Sequence, residues 1–155
     1  MTVVGVGLVS AAPAFAIPPV EKVACGALDA AQQHNNAIGD DIGNMRTTLQ
    51  DVLVQGGKIQ GINNASILVN RDIRALKGDA AGIGDKGMVD AVNALEAAAQ
   101  DMTQSVNGLY GGNYGYGATG VAIPSADTYG FVDTAGDKQL AVAAVLNELR
   151  AKGCA

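Results

Sequence analysis

The sequence predicts an all-α protein: a small up-down bundle of four to five helices with a long Gly/Tyr-rich loop before the last one. Three observations predict it. Apolar residues recur at alternating steps of three and four through most of the chain, the period of one helix face. Aromatics make up 4% and Trp is absent, so Ala, Val, Ile and Leu must build the core, and such side chains suit closely approached helices. The 21 glycines fall mostly between the periodic runs, as expected of a residue that costs about 1 kcal/mol relative to Ala inside a helix. At 155 residues the chain has room for one domain.

Residues 1–16 read as a signal peptide and residues 17–155 as a single helical-bundle domain. An uncharged apolar run at 2–9 leads into Ser10-Ala-Ala-Pro-Ala-Phe-Ala16, whose Ala14-Phe-Ala16 is the small-x-small pattern of a signal peptidase site. Cleavage after Ala16 would leave Ile17 as the mature N-terminus. No Lys or Arg precedes the run, a departure from the usual signal pattern. The competing reading is a buried N-terminal helix or a retained anchor. Gly5, Gly7 and Pro13 interrupt the run, which is short of the roughly 20 apolar residues of a membrane span. The expected location is therefore periplasmic or extracellular, with no transmembrane span in the mature chain.

After Pro18-Pro19, the stripe Val20, Val23, Ala24, Ala27, Leu28 and Ala31 predicts a first helix to about Gln33. Asn35-Asn36 offers a cap, and Ile38, Ile42, Met45, Leu49 and Val52 then form a heptad seam. Gly56-Gly57 should end or kink this second helix, although Ile59 keeps its register. A third segment places Ile62, Val69, Ile73 and Leu76 on one face with Ser66 as the polar exception and Gly78 as a stop. Asp85 is a good N-cap for the most regular helix, with Met88, Val92, Leu95, Ala99, Met102, Val106 and Leu109 in unbroken four-three alternation. Residues 108–133 are expected to be irregular, a long loop or a short hairpin. Thr134-x-x-Asp137 resembles a capping box before Leu140, Val142, Val145, Leu146 and Leu149.

Two cysteines, Cys25 and Cys154, stand near the two ends of the mature chain. An even pair in an exported protein predicts a disulfide, which would dock the last helix on the first. Two buried thiols are the alternative, and Val23-Ala24-Cys25 faintly resembles a lipid-attachment site, though Pro18, Pro19, Glu21 and Lys22 separate it from the apolar run.

No pattern predicts a catalytic, metal or cofactor site. Gly82-Ile-Gly84-Asp-Lys-Gly87 matches G-x-G-x-x-G but follows a polar helix end where a dinucleotide site needs a buried strand, so it reads as an inter-helix turn. His34 is the one histidine, with no carboxylate or cysteine at ligand spacing, and is expected to be solvated at a helix end. Asp127, Asp133 and Asp137 lack the dense oxygen ligands of an EF-hand. Asn64-Ala65-Ser66 has the form of a glycosylation acceptor. The net charge of −5, with ten scattered basic residues, argues against a nucleic-acid partner.

The segment 108–117 sets Tyr110, Tyr114 and Tyr116 among five glycines, with Tyr129 and Phe131 following. It reads equally as an aromatic surface for contact with another protein or as rings folded back over the end of the bundle.

The signal peptide, the Ile17-Pro18-Pro19-Val20 start, the Ala30-Ala31-Gln32-Gln33 stretch and the long amphipathic helices together resemble the minor pilins of bacterial type IV secretion systems. The resemblance implies an exported helical subunit of a pilus tip, serving assembly or cell contact without catalysis. The glycine-tyrosine loop and the terminal cysteines have no counterpart in it. The expected function is thus a non-enzymatic structural or interaction protein of the bacterial envelope, with protein partners or self-assembly and no cofactor. The alternative is a carrier of a small apolar ligand, with Met45, Met88 or Met102 lining a cavity. A secreted enzyme would need a nucleophile beside a base, and no local pattern supplies one.

Overall fold

The computed structural model describes residues 23–55, 60–110, 114–116, 122–124 and 126–154, with side chains described outside 51–60 and 109–126. The proposed signal peptide and its cleavage site, Val20, Gly56-Gly57 and Ile59 lie outside the described residues, as do the side chains of Val52 and Leu109. Four helices account for most of the rest: α1 (Cys25–Gln55), α2 (Gln60–Ile83), α3 (Lys86–Tyr110) and α4 (Ala126–Ala151). Between α3 and α4, β1 (Tyr114–Tyr116) and β2 (Ala122–Pro124) pair antiparallel with Gly115 opposite Ile123, and β2 lies against α1.

Each helix buries one heptad seam. On α1 it runs Leu28, Ala31, Asn35, Ile38, Ile42, Met45 and Leu49, on α2 Ile62, Ser66, Val69, Ile73, Leu76 and Ala80, and on α3 Met88 through Val106 as the sequence predicts. On α4 the seam is Thr128, Val132, Ala135, Gln139, Val142, Leu146 and Leu149. Steps of three and four keep a stripe on one side of a helix turning at 3.6 residues. The helices pack in a ring, α1 on α2, α2 on α3, α3 on α4 and α4 on α1.

Three pairs of contacts show the sense of packing. His34 meets Asp79 while Thr48 lies against Gly61, Ser66 meets Thr103 while Lys77 meets Glu96, and Asp29 meets Arg150 while Leu49 meets Tyr129. In each case one number rises as the other falls.

Several sequence expectations are corrected. The first two helices are one: α1 passes through Asn35 and Asn36 without a break, because Asn35 is fully buried and turned into the core, where it cannot cap. Helix α2 does not stop at Gly78 but at Ile83. Gly84 supplies the ending with φ +73°, and its N–H bonds to the Ala80 carbonyl at 3.0 Å, the left-handed cap that glycine adopts without steric cost.

Asp85 caps α3 as expected, accepting the Met88 N–H at 2.9 Å. The match to G-x-G-x-x-G is thus a corner between two helices.

The irregular segment expected through Asp133 is shorter, because α4 begins at Ala126. Thr134 is therefore no cap: mid-helix, it donates to the Gly130 carbonyl at 2.9 Å. Leu140 is on the outer face, 63% exposed, whereas Val142, Leu146 and Leu149 are buried. Asn64 and Ser66 of the glycosylation triplet both lie in α2, with Ser66 buried, and a helix does not offer the extended surface loop where such triplets are modified.

Candidate functional site

Cys25 and Cys154 form the disulfide the sequence predicts, with Cα atoms 5.1 Å apart across 129 residues of chain. Helix α4 ends beside Gly153, whose φ of +87° turns the chain so that Cys154 pairs in a parallel bridge with Val23. A 2.9 Å contact between Arg150 and Asp29 lies nearby in sequence. The start of α1 and the segment that follows α4 are thereby fastened to each other.

Polar groups occupy every helix interface. Asn35 and Gln139 bond reciprocally between α1 and α4: Asn35 Nδ2 donates to the Gln139 carbonyl at 3.3 Å and Gln139 Nε2 to the Asn35 carbonyl at 3.2 Å. Gly39 makes room for this, since a Cβ there would stand 3.1 Å from Gln139 Cδ. The Asn35 Oδ1 is buried with no hydrogen-bond partner among the described residues. Thr103 bonds both Ser66 and Asn70 between α2 and α3, and Ser105 pairs with Thr128 between α3 and α4. Such pairs cost burial energy but favour one register over its slipped alternatives.

His34 is mid-helix on α1, and its Nδ1 is 2.6 Å from Asp79 of α2, with the ring 38% exposed. It is not solvated at a helix end, because the helix in which it stands continues for five further turns. The partner lies 45 residues away in sequence, beyond any local motif. Nearby along the same interface, Asp41 faces Asp72, Arg71 and Asp40, and burial first, then Asp72, holds its carboxyl above the ordinary value of 3.8. Asp72 is 8% exposed and is held by two hydrogen bonds from Arg71.

Asp127, Asp133 and Asp137 are all exposed on α4, and Asp133 pairs with Arg46 of α1 at 2.5 Å. Among the described residues no three metal-ligating side chains converge.

Of the proposed contact surface, Tyr129 and Phe131 are described. Tyr129 is half-buried against the core, donates to the Leu49 carbonyl at 3.1 Å and has its phenol pushed up by burial, the folded-back arrangement for that ring. Phe131 is 37% exposed. Tyr114 and Tyr116 lie on β1 and Tyr110 ends α3, with their side chains outside the described residues.

Two clefts are described. The larger, about 460 Å³, is a groove between α1 and α4 with Gly39, Ile42, Gly43 and Arg46 on one side and Val132 to Leu140 on the other. The smaller, about 160 Å³, lies between α2 and α3 around Ala80 and Val92. Neither includes Met45, Met88 or Met102, which are wholly buried in the core. The sequence reading missed Asn35, Gln139 and the groove. Gly39 and Gly43, one helical turn apart, and Gly136 are the signal that was present for it.

No helix among the described residues is long and apolar enough to cross a membrane. No family model, no curated protein and no solved structure matches the chain.

Proposed function

We propose that the chain is an exported, non-enzymatic structural or interaction protein of the bacterial cell envelope, a secretion- or pilus-associated subunit built as an up-down bundle. The observation that carries this reading is the Cys25–Cys154 disulfide, because such bonds persist in oxidising compartments and are rare in the cytosol. The antiparallel contact pairs of α1 with α2, α2 with α3 and α1 with α4 support the bundle topology. Fully packed methionines favour a structural core over an apolar-ligand carrier. Residues 108–131 are the contact surface of the reading, supported by the exposed Phe131 ring and by the tyrosines of the preceding segment.

Intact mass of the chain recovered from a bacterial culture, with and without reductant and with thiol alkylation, tests the proposal. A mass beginning at Ile17 and thiols that alkylate only after reduction are expected. A chain that keeps residues 1–16 and alkylates freely would overturn it.

A further inference from the structure

The α1/α4 groove has a floor that the described residues leave open. Among the described residues a Cβ on Gly43 would meet nothing within 4 Å, and one on Gly136 would meet Ile42, at 3.8 Å. Unlike Gly39, which Gln139 requires, Gly43 is a helix-weakening residue with no neighbour among the described residues to account for it. Leu140 stands over the groove at 63% exposure. The rim is acidic: Arg46 neutralises Asp133, while Asp137 forms no ion pair among the described residues.

Helix α2 carries the opposite relief. Ile67, Arg71 and Arg74 recur at four and three along its outer face, away from the buried seam of Ile62, Ser66, Val69, Ile73 and Leu76. Ile67 is 56% exposed and Leu68 beside it 37%, the most exposed pair of adjacent large apolar residues described. Arg71 is held by Asp72, whereas Arg74 forms no ion pair among the described residues. From Ile67 to Arg74 the ridge is about 10 Å long, and from Val132 to Leu140 the groove wall is about 12 Å, at 1.5 Å per residue.

We propose that the α2 ridge of one copy of this chain seats in the α1/α4 groove of the next, with Ile67 over Gly43 and Gly136, Leu68 beside Leu140, and Arg74 paired with Asp137. Charge complementarity selects a second copy as the occupant: Arg74, the unpaired cation of the apolar ridge, and Asp137, the unpaired anion of the glycine-floored groove, are on surfaces of the same molecule. With one ridge seated in one groove, each pair of copies keeps a free ridge and a free groove, so the contact is heterologous and propagates head to tail, as a ring or an open chain. This inference rests on the reading of the protein as a structural subunit and names its mode of assembly.

Sedimentation velocity of the full disulfide-bonded chain over a range of concentrations tests it. The wild type is expected to form species beyond the dimer as concentration rises. Asp137→Arg and Arg74→Asp are each expected to weaken association by about tenfold or more, and the double exchange to restore it, as charge reversal across one contact requires. Gly43→Leu fills the groove and is expected to abolish association. All three positions are exposed, so helical circular dichroism of each variant should match the wild type. Association that none of these variants changes overturns the inference and leaves the subunit reading standing. A chain that stays monomeric at every concentration also overturns it, and the export experiment then decides the broader reading independently.

Discussion

Asn35 and Gln139, 104 residues apart, each donate a side-chain amide hydrogen to the other's backbone carbonyl across the α1–α4 interface. The exchange leaves the buried Asn35 Oδ1 without a partner among the described residues. An unpaired buried acceptor costs about 1 to 3 kcal/mol. Asn35→Leu is therefore expected to raise stability by about 1 kcal/mol, read from the midpoint of urea unfolding. Gln139→Ala removes a bond and the side chain that fills the space above Gly39, and should lower stability by about 1 to 2 kcal/mol. An Asn35→Leu protein less stable than wild type would show that the polar pair stabilises the fold beyond setting its register.

Reduction of Cys25–Cys154, or the double Ser variant, releases a closed loop of 129 residues. Chain entropy puts the expected loss at about 4 to 5 kcal/mol, an upper figure when the reduced chain retains structure. Thermal unfolding with and without reductant measures it. An unchanged midpoint would contradict the assigned bond.

The corner between α2 and α3 depends on two adjacent residues. Asp85→Ala deletes the acceptor of the Met88 N–H and should cost about 1 kcal/mol. Gly84→Ala forces a Cβ onto a residue at φ +73°, with a similar cost of about 1 kcal/mol. Hydrogen exchange localised to residues 80–92 would register both.

Asp41 titrates against the fold. Its native carboxyl is raised above 3.8 by burial and then by Asp72, so the folded chain holds that proton more tightly than the unfolded one. The resulting stabilisation is present below the unfolded value and is lost as pH rises through the raised native value. At neutral pH the ionised group is a burden, and Asp41→Asn should stabilise by no more than about 0.5 kcal/mol. That advantage should fade on acidification, as denaturation at neutral pH and at about pH 3 would report. A constant difference between the two would remove Asp41 as its source.

How far the fold was legible follows from what sits on each seam. In α3 every seam position is apolar, and the helix was readable from end to end. In α1 the seam passes through Asn35, a residue that favours caps in sequence, so one helix looked like two until burial revealed Gln139 as its partner. In α4 the seam begins with Thr128 and includes Gln139, and Gly130 interrupts the outer face, so its first two turns read as loop. The groove was less legible still. Its floor is defined by missing side chains at Gly39, Gly43 and Gly136, and only the approach of α1 to α4 gives those absences meaning.

The fastening of Cys25 to Cys154 also settles how this protein would carry a mechanical load. Tension applied through residues before Val23 and after Cys154 would pass directly across the sulfur–sulfur bond, and the four helices lie in a closed loop outside that path. Force that unravels an ordinary bundle would leave this one coiled until the bond is reduced. A chain fastened in this way would resist stretching as a covalent link while its helices keep their packing.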